Sequence, residues 1–353
     1  MKQEIIIGDR KIGEGHPCFI VAEMSGNHNM DYNRAKEIIL AAKQAGADAV
    51  KIQTYTADTI TLKSDAPYFQ TDSEGIWAGM TLHELYEQAY TPWEWQPKLK
   101  KYAEELGILL FSSPFDLSSV DFLEEMDMPA YKIASFEIND IPLIRRVART
   151  GKPVIMSTGI AGLSDIDLAV QTCLEEGNDQ VILLKCTSAY PAPYSEMNLK
   201  MIQNLKDTFQ CCVGLSDHSM GDEVAIAGVS LGACMVEKHL TLSRADGGVD
   251  SEFSMEKEEM QSMIQHIRHV EDALGQSSFR LSAKQKRQGE WGRSLFVCDT
   301  IHEGEIFTEK NIRSVRPGKG LHTKYYDSIL GKKACRDLEY AKPLELGDID
   351  WNS

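Results

Sequence analysis

Apolar and polar positions along this chain follow a repeating rhythm: short apolar runs separated by longer segments whose apolar residues recur every three or four positions. Residues 1–17 read as a hairpin, with Gly8-Asp9 and Gly13-Glu14-Gly15 as turn signals. Residues 19–23 then read as a strand, 32–46 as a helix stopped by Gly46, and 49–54 as the next strand. A helix near 95–106 follows, and further strands are predicted at 108–113, 130–135, 153–158, 181–187, 213–218 and 235–239. Gly221 to Ala233 carries the spacing of a short helix between the last two strands. About eight strand–helix units lie between residues 19 and 273, which predicts a (β/α)₈ TIM barrel. A doubly wound open sheet is the competing architecture. The strand count and the absence of a GxGxxG turn disfavour it.

Two stretches break the rhythm. One is a long polar and aromatic excursion through Tyr68, Trp77, Tyr86 and Tyr90 to Trp93. A loop of that length either covers a substrate site or is an insertion packed by its own aromatics. The other is the tail, where short strand-like runs such as Leu295-Phe296-Val297 are separated by turns. The organisation read from this is a barrel over 1–280, a basic linker over 281–290 and a small loop-rich domain over 291–353.

Composition narrows the possible partners. A formal charge of -16 with a pI near 5.1 argues against nucleic acid and anionic membrane as partners. The eight cysteines show no CxxC spacing and sit mostly in apolar runs, the usage expected of reduced thiols in a cytoplasm. No signal peptide opens the chain and no apolar run approaches membrane-spanning length, so a cytoplasmic protein is expected.

The candidate chemistry gathers at the ends of the predicted strands. The runs ending in His218 and His239 flank one helix, so a parallel βαβ unit would bring both histidines to the same sheet edge. Ser216 shares a strand face with His218, and Glu237 with His239. Two neutral imidazoles with carboxylates nearby suit a divalent transition metal. Either histidine alone is more simply a polar strand end bonded to loop backbone; the pair favours a ligand role. Charged residues also stand near the carboxyl ends of other strands: Glu23, Lys51, Lys132 and Lys185. Buried without partners they would be costly, so they should face a solvated barrel mouth or pair there. Lys51 shares its face with Gln53 and should look inward, whereas Lys238 lies opposite Glu237 and His239 and reads as structural. The role of Lys185 stays open. Ser113, Ser135, Ser157, Ser188 and Ser216 gather at the same edge, and with the lysines they form a plausible cradle for phosphate or carboxylate. Such a mouth points to a metal-assisted reaction on a small anionic substrate.

The motifs also carry a family likeness. Ala22-Glu23-Met24-Ser25-Gly26-Asn27-His28-Asn29, Ala49-Val50-Lys51-Ile52-Gln53-Thr54, Phe111-Ser112-Ser113-Pro114-Phe115 and Lys132-Ile133-Ala134-Ser135 resemble the N-acetylneuraminate (sialic acid) synthase family. So do Ser157-Thr158-Gly159, Leu215-Ser216-Asp217-His218 and Val236-Glu237-Lys238-His239, and the tail, with Arg316-Pro317-Gly318-Lys319-Gly320, resembles its antifreeze-like (SAF) domain. The segments 89–95, 131–137 and 186–193 resemble a branch that makes a nonulosonic acid other than sialic acid. Ser188 and Phe136 stand where sialic acid synthases usually carry Asn and Gly.

The resemblance implies condensation of phosphoenolpyruvate with an open-chain amino sugar, here a 2,4-diacetamido-2,4,6-trideoxy hexose of altrose type, releasing phosphate. It implies that Lys51, Ser113, Lys132, Ser135, Ser157, Ser188, Tyr190 and Ser216 hold phosphoenolpyruvate. Gln53, Asp250 and Arg316 fall to the sugar, and His218 and His239 to a divalent cation such as Mn²⁺, Mg²⁺ or Co²⁺. Glu23 matches a sugar- or metal-facing position and joins Glu137 and Glu237 as the carboxylates suited to acid–base work. It further implies a domain-swapped homodimer in which each small domain covers the partner's barrel mouth. The other readings are a sialic or legionaminic acid synthase acting on another N-acetyl hexosamine, a different metal-dependent barrel aldolase or isomerase, or a non-catalytic sugar-binding protein.

Overall fold

A computed structural model describes residues 1–71 and 77–353, so part of the long excursion lies outside the described residues. The chain divides into two units, Met1–Gly275 and Gln276–Ser353.

The first unit opens with a hairpin of β1 (Glu4–Ile7) and β2 (Arg10–Gly13). Eight parallel strands then close into a barrel: β3 (Phe19–Glu23), β4 (Ala49–Thr54), β5 (Leu109–Pro114), β6 (Tyr131–Ile133), β7 (Val154–Ser157), β8 (Val181–Cys186), β9 (Cys212–Asp217) and β10 (Met235–His239). They pair in chain order, and β10 closes on β3 with His239 opposite Glu23. The predicted barrel is therefore the observed one. Helices lie between successive strands, and local chemistry sets their limits. The helix Tyr32–Ala45, for example, is capped by the Asp31 carboxylate, which accepts from the backbone N–H groups of Asn33 and Arg34. Gly46 ends it with φ +94°, a left-handed conformation that glycine adopts without a side-chain clash.

Period two along each strand divides the barrel into layers. Outward positions such as Ile20, Val50, Ile133, Leu183, Val213 and Val236 join the helices in the main core. Inward positions begin apolar, with Phe19, Ala49, Phe111, Ile155, Ile182 and Met235 packed together at the amino-terminal end. The hairpin adds Ile5, Ile7 and Ile12 to that cluster and so plugs the barrel floor, each side chain contributing about 1.5–3 kcal/mol of burial. Continued along the same parity, the inward positions become polar: Glu23, Lys51, Gln53, Ser113, Lys132, Ser157, Ser216, Glu237 and His239. One face of each strand is thus floor at one end and site at the other. Gly214 lies on this face because a Cβ there would stand 2.5 Å from the Met235 carbonyl oxygen.

Lys238, on the outer face, pairs with Asp217 at 2.7 Å inside the protein, which bears out its structural reading. Lys185 Nζ donates to the Cys186 carbonyl and the Thr187 hydroxyl at its own strand end.

The second unit carries two short antiparallel pairs, β11 (Ser294–Val297) with β12 (Ile312–Val315) and β13 (Lys333–Ala334) with β14 (Ile349–Asp350). Leu295, Phe307, Ile312, Ile329, Leu338 and Leu344 form its core. The basic stretch expected as linker contains a helix, Ala283–Gly289, started by Ser282 in a reciprocal cap with Gln285. Among the described residues no helix is long and apolar enough to cross a membrane.

Candidate active site

At the carboxyl ends of the barrel strands the polar inward residues meet in one buried network. Lys51 Nζ lies 2.6 Å from Glu23 Oε2 and 3.6 Å from Glu237 Oε1, and Lys132 Nζ lies 3.4 Å from the same Glu237 oxygen. Ser113 accepts from Lys51 at 3.2 Å and Ser216 donates to Glu237 at 3.3 Å. All four charged side chains are buried, so each charge is tolerated only because its opposite is at hand. Burial pulls Lys51 down, but Glu23 and Glu237 more than offset this and hold it above the ordinary lysine value. For Lys132 burial dominates and lowers the pKa, with Glu237 opposing. Burial likewise raises Glu23 against the pull of Lys51. Glu237 ends below the ordinary range because Lys132 and Lys51 together overcome its burial.

Above this floor opens a cavity of about 210 Å³. Its polar side is lined by Lys51, Gln53, Lys132, Ser135, Glu137, Ser157, Tyr190, Ser216, His218, Glu237, His239 and Asp250, all expected from the sequence. Glu23, Ser113 and Ser188 stand one contact behind, against Gln53, Lys51 and Ser135 respectively. Ser135 and Ser188 share a hydrogen bond of 2.7 Å. Gly159 makes room for them, since a Cβ there would sit 2.0 Å from the Ser188 hydroxyl. Arg316 belongs to the second unit.

Buried polar atoms are almost always hydrogen-bonded. Around this cavity Glu137 Oε2, Ser157 Oγ, Glu237 Oε2 and His239 Nδ1 have no partner among the described residues, a pattern that fits groups arranged for a polar ligand. Burial pushes the Glu137 carboxyl up to about 7, against the pull of Lys132.

His218 and His239 face each other at a ring-centroid separation of 5.4 Å. Burial holds His239 well below the ordinary histidine value, so its imidazole is neutral, as a metal ligand must be. His218 Nδ1 lies 3.0 Å from the Thr187 carbonyl, a bond that fixes the ring and leaves Nε2 free to ligate. Burial lowers the pKa of His218, but the Cys186 sulfur and the Thr187 carbonyl outweigh it and hold it above the ordinary histidine value. Among the described residues no three His, Cys, Asp or Glu side chains are spaced to hold a metal ion. His218 and His239 are thus the two imidazole donors available here to a divalent cation, whose other positions water or substrate would have to fill.

The apolar part of the cavity lining was not read from the sequence. Tyr55, Leu85, Tyr86, Phe115, Phe136 and Val249 form its apolar and aromatic lining, with Leu85 and Tyr86 supplied by the long excursion. Tyr55 packs edge-to-face on Tyr86 at 5.6 Å and on Phe115 at 5.1 Å. The excursion thus lines the cavity through Trp77, Leu85, Tyr86 and Ala89, and its Tyr86 packs on Tyr55 of the segment before it. Ser25 also lines the cavity. Its place inside the Glu23–Asn29 motif was the available signal.

With this geometry in view, comparison with known proteins is specific. Residues 38–279 match the NeuB family and residues 292–350 match the SAF domain. A pseudaminic acid synthase of Campylobacter jejuni is 46% identical over 331 residues, covering 94% of this chain and 96% of the relative. A pseudaminic acid synthase of Helicobacter pylori is 43% identical, covering 95% of this chain and 98% of the relative. Among solved structures, the N-acetylneuraminic acid (sialic acid) synthetase of Leptospira borgpetersenii superposes with a TM-score of 0.73 at 33% identity, over 82% of this chain and 95% of that one.

Proposed function

The chain belongs to the NeuB family, and from that premise we propose that it is a nonulosonic acid synthase of the pseudaminic acid type. It would join phosphoenolpyruvate to an open-chain 2,4-diacetamido-2,4,6-trideoxy hexose of altrose type, consume one water, and release phosphate. The observation that carries this reading is a single cavity lined by buried lysines, unsatisfied polar atoms and aromatic side chains.

The polar side offers what phosphoenolpyruvate needs. Lys51 and Lys132 would supply ammonium donors, and Ser135, Ser157 and Ser216 hydroxyls for phosphate and carboxylate oxygens, with Tyr190 beside them and with Ser113 and Ser188 behind, bonded to Lys51 and Ser135. Gln53 and Asp250 would receive the sugar's polar edge. The aromatic lining suits its deoxygenated methyl end, because a hydroxyl placed there would lose water without gaining a partner. A divalent cation such as Mn²⁺, Mg²⁺ or Co²⁺ on His218 and His239 would polarise the sugar aldehyde as a Lewis acid.

The reaction then balances with groups of this chain. The enol methylene carbon bonds to the aldehyde carbon, and the aldehyde oxygen takes a proton. Glu137 can carry that proton near neutral pH because burial holds its carboxyl at about 7. Water adds to the carbon left electron-poor and gives up a proton, for which Glu237 is an ionised acceptor, with Glu23 adjoining through Lys51. Collapse of that carbon to a ketone breaks its bond to the phosphate oxygen. A homodimer, with Arg316 of one copy serving the sugar of the other, belongs to the same proposal.

The test is phosphate release from phosphoenolpyruvate with a panel of hexosamines and diacetamido-trideoxyhexoses, with and without added divalent metal. Release that needs both metal and the altrose-type sugar supports the reading. Release with an N-acetyl hexosamine as the better substrate replaces the pseudaminic branch with a sialic or legionaminic one. No release with any sugar overturns the synthase reading.

A further inference from the structure

Ser25 lies at the mouth of the barrel in a conformation its side chain does not favour. Its φ of +46° is left-handed, where an L-residue other than glycine, asparagine or aspartate is uncommon. It is also buried, with 4% of its surface exposed. Residues held this way persist where the surroundings over-determine them, and they concentrate at ligand sites.

Its hydrogen bonds show what holds it. The Ser25 backbone N–H donates to Glu23 Oε1 at 2.9 Å. The Ser25 hydroxyl donates to Asp250 Oδ2 at 2.5 Å and accepts from Gln53 Nε2 at 3.1 Å. Gln53 Nε2 reaches Glu23 Oε1 as well, at 3.3 Å. A single residue thus ties together the end of β3, an inward side chain of β4 and an acid from the segment after β10. Asp250 has one further bond on that oxygen, a long one of 3.4 Å from the Gly26 N–H. Ser25, Gln53 and Asp250 all line the cavity. Glycine at position 25 would take the same backbone path without a left-handed penalty, so what the serine adds is its hydroxyl.

We propose that Ser25 is a positioning residue for the sugar: its hydroxyl fixes the Asp250 carboxylate and the Gln53 amide in the orientation that reads the substrate's hydroxyl and amide groups. This rests on the reading of Gln53 and Asp250 as the sugar side of a synthase. It deepens that reading by placing sugar selectivity on a group that bonds to the sugar-reading residues. A hydroxyl that donates to the acid and accepts from the amide holds both side chains in one rotamer, and once released they would sample others.

The test pairs Ser25→Gly with Ser25→Ala in the full chain, scored by melting temperature and by separate steady-state KM values for sugar and phosphoenolpyruvate. Ser25→Gly relieves the left-handed backbone but leaves the buried Asp250 carboxyl without its hydroxyl donor, two effects that oppose, so its melting temperature should stay near wild type. Its sugar KM should rise about tenfold or more, the loss expected for a hydrogen bond to a charged group, with the phosphoenolpyruvate KM unchanged. Ser25→Ala should show the same selective rise while melting lower than Ser25→Gly, because it keeps the left-handed backbone. An active wild type with an unchanged sugar KM in Ser25→Gly overturns the proposal alone, and so does an equal rise in both KM values. A wild type that releases no phosphate with any sugar overturns the synthase reading and takes this inference with it.

Discussion

Lys238 Nζ and Asp217 Oδ2 lie 2.7 Å apart, fully buried, on the outer face of the two strands whose inner faces carry the histidine pair. The residues are register partners on β10 and β9. Lys238 also donates to the Ser219 carbonyl at 2.7 Å, while the second Asp217 oxygen accepts from the Ser219 N–H and hydroxyl. Both Asp217 oxygens and two of the three Lys238 N–H donors are used. It clamps together the strand ends that place His218 and His239.

Lys238→Met should therefore lower stability by about 3–5 kcal/mol, because it strands a buried carboxylate. Urea unfolding of the variant checks this, and a loss under about 1 kcal/mol would mean that the pair behaves like an exposed one. Adding Asp217→Asn to Lys238→Met should cost less than the sum of the two single changes, since both remove one interaction.

Much of this site was legible because strand parity is a strict rule. Once Lys51 and Gln53 were placed on one face, and Glu237 and His239 on another, closing the barrel had to bring them together. Lys238 was legible as structural for the same reason. The left-handed φ of Ser25 was not, because nothing in a Met-Ser-Gly triplet marks which residue takes the strained position. The aromatic wall escaped for a different reason. Tyr55, Tyr86 and Phe115 come from separate segments and meet only through tertiary packing, which has no periodic signature in the chain. The hairpin was visible as a hairpin, but its use of Ile5, Ile7 and Ile12 as a barrel plug was not.

Glu137 offers a pH test. Its folded pKa of about 7 lies above the ordinary 4.5 because burial disfavours the charge. The folded state therefore binds more protons than the unfolded state between those values, so stability falls as pH rises from about 4.5 to 7. Glu137→Gln cannot titrate and should lack this part of the slope. Relative to wild type it should gain on the order of 1–3 kcal/mol between pH 4.5 and 7.5. Denaturant midpoints of both proteins at the two pH values measure this directly. Parallel stability curves would show that the Glu137 carboxyl is solvated in the folded protein.

Lys132→Met separates the two halves of the proposed site. The buried ammonium lies 3.4 Å from Glu237, which keeps Lys51 at 3.6 Å and the Ser216 hydroxyl after the change, so the fold should survive. The phosphoenolpyruvate KM should rise about 10- to 100-fold, as for loss of a charge-assisted hydrogen bond, with the sugar KM little altered. A larger effect on the sugar than on phosphoenolpyruvate would reverse the assignment of the two sides.

The last prediction concerns the proposed dimer. Arg316 stands in an Arg-Pro-Gly turn of the small SAF unit, on a chain whose histidine pair, His218 and His239, belongs to the barrel. If Arg316 serves the sugar of a second copy, each active site draws on two chains. Arg316→Ala and His239→Ala should then each be inactive alone, and mixing them should restore activity as subunits exchange. A hybrid dimer would hold one site with both histidines from one chain and an intact arginine from the other, and one site lacking both. Complete exchange of an equal mixture makes half the dimers hybrid, each with one working site of two, so recovery should approach about a quarter of wild-type activity per subunit. An arginine acting within its own chain gives a different result, since each hybrid site would then still lack one of the two groups. Native mass spectrometry showing hybrid dimers, with activity still at background, would therefore exclude the shared site while leaving the chemistry at the barrel mouth untouched.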